Sequence, residues 1–142
     1  TSCCGIRWPA GCDLRRLDTL PAMRIALTKT IDFEAAHWLP CFPEGHKCRR
    51  LHGHSFKVDI VVEGQVDPDK GYLIDFGDIK RLTAPIVDRL DHYCLNDIDG
   101  LENPTAENLA KWVYDRLIDD LPILKLVRVR ETCTSAAEYF GD

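Results

Sequence analysis

The chain has 142 residues, a length that allows one domain with a proper core and is short for two. Hydrophobic residues make up 45% and charged residues 29%, which excludes a disordered chain, and no apolar run approaches the roughly 18 residues of a membrane span. The net charge of −5 argues against a surface that follows nucleic-acid phosphates. We therefore expect a globular protein that acts on a small molecule, with no nucleic-acid or membrane partner.

The seven cysteines predict reduced thiols rather than a disulfide framework, since an odd number cannot close completely into intramolecular pairs. A domain of this size does not need such bonds, so we expect a cytoplasmic protein. Residues 1–22 hold three of the cysteines and show no lasting periodicity and no apolar centre of a secretory signal. We interpret residues 1–22 as an N-terminal extension or a leader left from cloning, and residues 23–142 as the functional domain.

In the rest of the chain, the spacing of the apolar residues is typical first of strands, then of helices, and then of strands again. Strands are predicted over 24–36, 54–64, 124–133 and 136–140, with a turn at 67–71 and a short strand or helix entry at 72–76. Amphipathic helices are predicted over 78–90 and 103–121, the second with Thr105 as N-cap and Pro122 as its stop. This order predicts an α+β fold, an antiparallel sheet with both helices packed on one face.

Three histidines point to a metal site at the ends of the first two strands. His52 and His54 are two residues apart at the start of a strand, so both side chains project to the same face. His37 ends the preceding strand and faces the same place if the two strands pair. Three neutral imidazoles are a common zinc set that leaves a fourth position for water or substrate, whereas the alternative is a polar strand end with solvated histidines.

Cys48 lies four residues before His52 and allows two interpretations. As a fourth ligand it would close a structural zinc site, and as a catalytic group it would stay off the metal. Lys47, Arg49 and Arg50 flank it, and nearby cations favour the thiolate, so we favour catalysis. The same cations suit an anionic substrate tail, or form an ordinary exposed loop.

Two carboxylates complete the set of candidate residues. Asp91 adjoins His92 and can hold its imidazole in one tautomer for proton transfer near neutral pH. Glu131 lies in an apolar strand on the face of Val127 and Val129, where a carboxylate needs a partner. A ligand edge with two N–H donors, such as that of a pterin or guanine, would provide one, and a salt bridge to lysine or arginine is the alternative.

Six motifs carry a resemblance to a known family. They are FEAAH (33–37), PEGHKCRRLHGHSF (43–56), DFGDIK (75–80), LDHYCLND (90–97), LENPTAENLAKWVYDRL (101–117) and VRETCT (129–134). As a set they resemble the 6-pyruvoyltetrahydropterin synthase superfamily from about Met23 to the end of the chain. The three residues between Cys48 and His52 resemble its branch of 6-carboxy-5,6,7,8-tetrahydropterin synthases of the queuosine pathway, because the pyruvoyl-forming enzymes typically have a longer spacer. Arg49 departs from the small residue expected there.

The resemblance implies a tunnelling fold, with a four-stranded antiparallel sheet and two helices in each subunit. It further implies a homohexamer made of two trimers, with active sites between subunits. The implied activity is that of a zinc-dependent lyase, which converts 7,8-dihydroneopterin triphosphate into 6-carboxy-5,6,7,8-tetrahydropterin, acetaldehyde and triphosphate. The alternatives are pyruvoyltetrahydropterin synthesis, an enzyme relaxed toward several pterins, and a non-catalytic zinc-binding module closed by Cys48.

The resemblance also implies a role for each candidate residue. Zinc is expected on His37, His52 and His54. Cys48 is expected to take a substrate proton, and His92, oriented by Asp91, to relay protons. Glu131 is expected to clamp the 2-amino and N3–H edge of the pterin, in a pocket lined by Thr132, Thr105 and Glu107.

Overall fold

The computed structural model describes residues 22–142, so the predicted extension lies almost entirely outside the described residues. Its main elements are β1 (Arg24–His37), β2 (His52–Gln65), α1 (Phe76–Leu90), α2 (Ala106–Leu117), β3 (Leu124–Thr132) and β4 (Ser135–Tyr139). The strands form one antiparallel sheet in the order β1-β2-β3-β4, which confirms the predicted α+β fold. No helix among the described residues is long and apolar enough to cross a membrane.

One face of the sheet carries the core. The rings of Phe33 and Phe56, which are paired across β1 and β2, stack with centroids 5.1 Å apart. Val58, Ile60 and Val62 follow on β2 and are fully buried, because alternate side chains of a strand point to the same face. The helices cover this face with Ile79, Ile86, Leu90, Leu109, Val113 and Leu117. The prediction that both helices pack on one face is therefore confirmed.

The segment before α1 is a helix entry and not a strand. Gly71 N donates to the carbonyl of Asp67 at 2.8 Å, which closes the predicted turn. The Asp75 carboxylate then accepts from Gly77 N at 2.7 Å and caps the helix. This cap starts α1 at Phe76, two residues before the predicted start at 78.

Helix α2 is shorter than the predicted 103–121 at both ends. Thr105 Oγ1 accepts from Asn108 N at 3.2 Å, which confirms Thr105 as the N-cap and excludes the two residues before it. A proline disfavours the helical conformation of the residue before it, and Pro104 therefore disfavours a helix that begins at Asn103. The helix already ends at Leu117, where Leu121 N closes a turn, so Pro122 is not the residue that stops it. The strand β3 begins after this proline, at Leu124.

The segment after α1 covers the outer edge of β1. Asp91 Oδ1 accepts from Glu34 N at 2.9 Å, and His92 N donates to the Glu34 carbonyl at 2.6 Å. Ala36 N continues the pairing with a bond to the carbonyl of Tyr93 at 3.0 Å. His92 has a φ of 63°, a left-handed conformation that is uncommon outside glycine. The hydrogen bonds on both sides of this residue maintain its strained backbone.

Candidate active site

The structure brings His37, His52 and His54 together at the end of the sheet. His37 and His52 are directly paired across β1 and β2, and their Nε2 atoms are 3.1 Å apart. One ring nitrogen from each of the three lies within 4.8 Å of the others. Between the two β2 histidines, a Cβ added at Gly53 would lie 3.3 Å from the carbonyl oxygen of Ala35, so glycine allows the close approach of β1.

Backbone carbonyls select the tautomer of two of these rings. His37 Nδ1 donates to the carbonyl of Pro104 at 2.8 Å, and His52 Nδ1 donates to the carbonyl of Arg50 at 2.7 Å. In the neutral rings the proton is therefore on Nδ1, and both Nε2 atoms present lone pairs. Two lone-pair-bearing nitrogens 3.1 Å apart repel each other unless a cation lies between them. The hydrogen bonds from Nδ1 to backbone carbonyls are typical of histidines that bind a metal through the other ring nitrogen.

The surroundings keep His37 and His54 neutral. Burial lowers the pKa of His37 from 6.5 to about 4; the Pro104 carbonyl opposes this shift, and the neighbouring His52 and His54 add to it. Burial also lowers the pKa of His54. Neutral imidazole is the form that ligates a metal, so these residues do not have to lose a proton near pH 7 to do so.

Glu131 reaches the same place from β3. Its Oε1 is buried, has no hydrogen-bond partner and lies 4.0 Å from His37 Nε2. Burial raises the pKa of Glu131, the nearby Glu107 carboxylate raises it further, and His52 opposes the shift. Among the described residues no lysine or arginine forms an ion pair with Glu131, which disfavours the alternative of a salt bridge.

Glu131 lines a cavity of about 640 Å³ where β2 and β3 separate. The pairing of these strands ends at Lys57 and Arg130, beyond which β3 turns into β4. Lys57 and Arg130 also line the cavity, and the other lining residues are Gly53, His54, Ser55, Thr132 and Cys133. The volume is in the range of sites that bury a small heterocyclic ligand.

The cations that line this cavity were not among the predicted site residues. Arg130 Nη2 donates to Asp59 Oδ1 at 2.8 Å, and Thr30 Oγ1 donates to the same carboxylate oxygen at 2.8 Å. Arg128 Nη1 donates to its other oxygen at 3.3 Å. The available signal was the polar face of β2, on which Lys57 and Asp59 alternate with the buried apolar residues.

The remaining predicted pocket residues occupy different positions. Thr132 lines the Glu131 cavity. Thr105 is engaged by its hydroxyl as the cap of α2. Glu107, in the first turn of α2, is exposed and close enough to raise the pKa of Glu131.

Cys48 is a half-buried free thiol in a short 3-10 turn, Lys47–Arg49. The turn is joined to the end of β1 because Leu39 N donates to the Cys48 carbonyl at 2.9 Å. Cys48 does not belong to the group of ligand atoms that the three histidines form. Arg49 Nη1 donates to the carbonyl of Phe42 at 3.0 Å, so this residue organises the loop.

The Asp91–His92 pair is formed, at the edge of β1. Asp91 Oδ2 is 3.0 Å from His92 Nδ1, and the bonds from Glu34 N and His92 lower the pKa of Asp91. His92 lines a second cavity, of about 520 Å³, together with Glu34, Tyr93 and one of the three histidines, His54. Within residues 22–142 no hydrogen bond or ion pair joins His92 to Cys48 or to the three histidines. A single chain thus orients this pair and places His92 in one cavity with His54, without a direct bond to the metal group.

The comparisons with known proteins agree with this architecture. A family model described as 6-pyruvoyl tetrahydropterin synthase matches residues 26–142. The chain belongs to this family. It is 48% identical over 119 residues to a 6-carboxy-5,6,7,8-tetrahydropterin synthase of Synechocystis sp., a match that covers 80% of this chain and 91% of that protein.

Two further matches are a relative that carries a different activity in its name and a solved structure of the 6-pyruvoyl tetrahydropterin synthase family. A dihydroneopterin monophosphate aldolase of Pyrococcus furiosus is 37% identical over 100 residues, which cover 70% of this chain and 81% of that protein. The solved structure of 6-pyruvoyl tetrahydropterin synthase from Caenorhabditis elegans matches with a TM-score of 0.78 at 24% identity, over 87% of this chain and 100% of that one. This likeness confirms the predicted tunnelling fold.

The residues of this 6-pyruvoyl tetrahydropterin synthase family member fit a bound metal ion. His37, His52 and His54 could hold one ion between them. His54 Nε2 is buried and has no hydrogen-bond partner, as expected of an atom whose partner is a ligated ion. The site therefore combines a possible metal group with an unpartnered carboxylate on one side of the sheet.

Proposed function

We propose that this chain is a 6-carboxy-5,6,7,8-tetrahydropterin synthase of queuosine biosynthesis. Water and 7,8-dihydroneopterin triphosphate would give the carboxypterin, acetaldehyde and triphosphate. One carbon of the three-carbon side chain stays on the ring as the carboxylate and two leave, while the ring gains the electrons that the side chain loses. The observation that carries the proposal is the meeting of three histidines and the unpartnered Glu131 in a chain 48% identical to a synthase of this name.

His37, His52 and His54 would hold Zn²⁺, for which three neutral imidazoles with an open fourth position are a typical catalytic set. When bound, this ion supplies Lewis acidity that makes the side-chain hydroxyls and adjacent C–H groups of the substrate more acidic. The protein's own contribution is to hold the two Nδ1 protons on the carbonyls of Pro104 and Arg50, which keeps the Nε2 atoms directed at one point.

Glu131 would fix the pterin ring. Its buried Oε1 is free to accept from the 2-amino and N3–H groups, and Thr132 lies in the same cavity. A carboxylate that meets two N–H donors forms strong charge-assisted hydrogen bonds. Glu107 favours the same ring by adding negative charge near its donor edge, and Thr105 acts through the start of α2.

Cys48 and the Asp91–His92 pair would move the protons. The Cys48 thiolate takes a proton from the side-chain carbon next to the ring. Asp91 holds Nδ1–H of His92, so Nε2 is the atom that accepts and returns protons. Since no hydrogen bond or ion pair of one chain joins His92 to the metal group, we propose that another copy completes the site in a homohexamer of two trimers, in the cytoplasm.

The product of the reaction tests the proposal. The protein, loaded with zinc, is incubated with 7,8-dihydroneopterin triphosphate, and the products are identified by mass. Carboxypterin together with acetaldehyde supports the proposal. A pyruvoyl product indicates the alternative synthase, and a hydroxymethylpterin indicates an activity of the aldolase kind. If the substrate stays unchanged although zinc is fully bound, the proposed enzymatic activity is wrong and the alternative of a non-catalytic zinc-binding module is favoured.

A further inference from the structure

Two of the buried side-chain atoms that lack a hydrogen-bond partner lie next to the same histidine. Among residues 22–142 such atoms are His54 Nε2, Asn103 Oδ1 and Glu131 Oε1. The rings of His54 and His37 are 5.1 Å apart, and Glu131 Oε1 is 4.0 Å from His37 Nε2. A buried polar atom without a partner is costly and calls for a specific explanation. A bound metal ion would be the missing partner of His54 Nε2, and the same ion can also be the partner of Glu131 Oε1.

The distances place the carboxylate close to a ligating position. Donor atoms around a tetrahedral zinc, each about 2.0–2.1 Å from the ion, are about 3.3–3.4 Å from one another. His37 Nε2 and His52 Nε2 are already 3.1 Å apart. Glu131 Oε1 is 4.0 Å from His37 Nε2 and does not belong to the group of three, so ligation requires rotation about the side-chain bonds of Glu131. No hydrogen bond opposes this rotation, because Oε1 has none.

We propose that Glu131 is the fourth ligand of the metal in the substrate-free protein, and that its carboxylate leaves the metal when the N–H edge of a pterin binds. The second half rests on the proposed function, and the first does not. A site with four protein ligands is closed, whereas a catalytic site needs an open position. The exchange would open that position only when a ring with the right donors has arrived. Metal and pterin would then compete for one carboxylate, so each lowers the affinity of the other.

The metal affinity of three proteins tests the first half. Zinc is titrated into the metal-free full chain in competition with a chromophoric chelator. We expect the isosteric Glu131→Gln variant to bind zinc at least about tenfold more weakly, an effect that even outer partners of a metal produce. Glu63→Gln is the matched control, because Glu63 lies on β2 in an exposed ion pair with Arg24 at 2.6 Å. Equal affinities in the three proteins would overturn the proposal.

A side-chain-free pterin tests the exchange. Added to the wild type, it is expected to weaken zinc binding and to change the visible absorption of the Co²⁺-loaded protein. Neither change should occur in Glu131→Gln, nor in Glu131→Asp, whose shorter side chain keeps the charge but loses the reach. A pterin that leaves zinc binding to the wild type unchanged, or strengthens it, would contradict the exchange. These measurements use no turnover, so an inactive protein would refute the proposed function without affecting the test of the fourth ligand.

Discussion

The carbonyl oxygen of Pro104 accepts a hydrogen bond from Nδ1 of His37 at 2.8 Å, which ties the metal group to the start of α2. His37 ends β1, and Pro104 directly precedes the Thr105 cap. The position of this carbonyl therefore depends on how α2 begins. A helix cap that contacts no ligand acts in this way on the tautomer and direction of a metal-binding ring.

Thr105→Ala tests this link. Loss of the bond to Asn108 N should lower the free energy of unfolding by about 1 kcal/mol, as is usual for an N-cap. It should also weaken zinc binding, because the Pro104 carbonyl is no longer held. Thr105→Ser, which keeps the hydroxyl, should restore both values. Urea unfolding and zinc competition measure the two effects, and a loss of stability with unchanged zinc affinity would contradict the link.

The sequence predicted the local features of this site better than its long-range ones. The spacing of His52 and His54 was sufficient to predict that they lie together, because strand alternation places both on one face. The position of His37 beside them was predicted from the pairing of consecutive strands. The predicted end of α2 was wrong because the apolar periodicity continues past Leu117 into a turn, and only the hydrogen bonds distinguish this turn from a helix. Contacts such as that of Pro104 with His37, 67 residues apart, have no signature in the sequence.

Cys48→Ala separates a catalytic from a structural cysteine. Because Cys48 lies outside the histidine group, the variant should retain one zinc per chain and its stability. Turnover should fall by at least about a hundredfold, the lower end for a residue that transfers a proton. Metal analysis, thermal unfolding and product formation measure these quantities. Cys41→Ala, which removes an exposed free thiol from the same loop, is the control. Joint loss of zinc and stability would indicate a structural ligand.

The neutral histidines make the metal-free protein sensitive to acid. The folded-state pKa of His37 is about 4 against 6.5 in the unfolded chain, and that of His54 is also lowered. The unfolded chain therefore takes up protons first, so stability should be full above about pH 6.5 and fall toward about pH 4. Glu131, whose pKa burial raises, acts in the opposite direction.

Urea unfolding of the chelator-treated protein at about pH 7.5 and about pH 5 measures this dependence. His37→Gln should show a clearly shallower loss of stability between the two conditions, since the group that resists protonation is gone. Lys70→Gln, which alters an exposed ion pair in the turn before α1, serves as control and should follow the wild type. Parallel curves for wild type and His37→Gln would exclude the histidine as the cause.

Asp59 is expected to be the most costly polar residue of the sheet to replace. Its side chain is 3% exposed and accepts from Arg128, Arg130 and Thr30. Asp59→Asn removes the buried charge that both arginines contact, and since each arginine is about a third exposed, it should lower the free energy of unfolding by about 2–3 kcal/mol. Thr30→Val removes one hydrogen bond and should cost only about 1 kcal/mol. Urea unfolding of both variants checks the ranking, and similar losses would contradict it.

The basic loop before β2 is expected to receive the triphosphate, and salt provides the test. Lys47 and Arg50 are exposed, whereas Arg49 is engaged by the Phe42 carbonyl. An exposed charge close to a phosphate contributes about 1 kcal/mol, so Lys47→Gln or Arg50→Gln should raise KM about fivefold with kcat unchanged. The screening length falls from about 10 Å at 0.1 M salt to about 3 Å at 1 M, so the difference from wild type should shrink at high salt. Lys70→Gln again serves as control, and a kcat effect that persists at 1 M salt would show that these cations act on the chemistry instead.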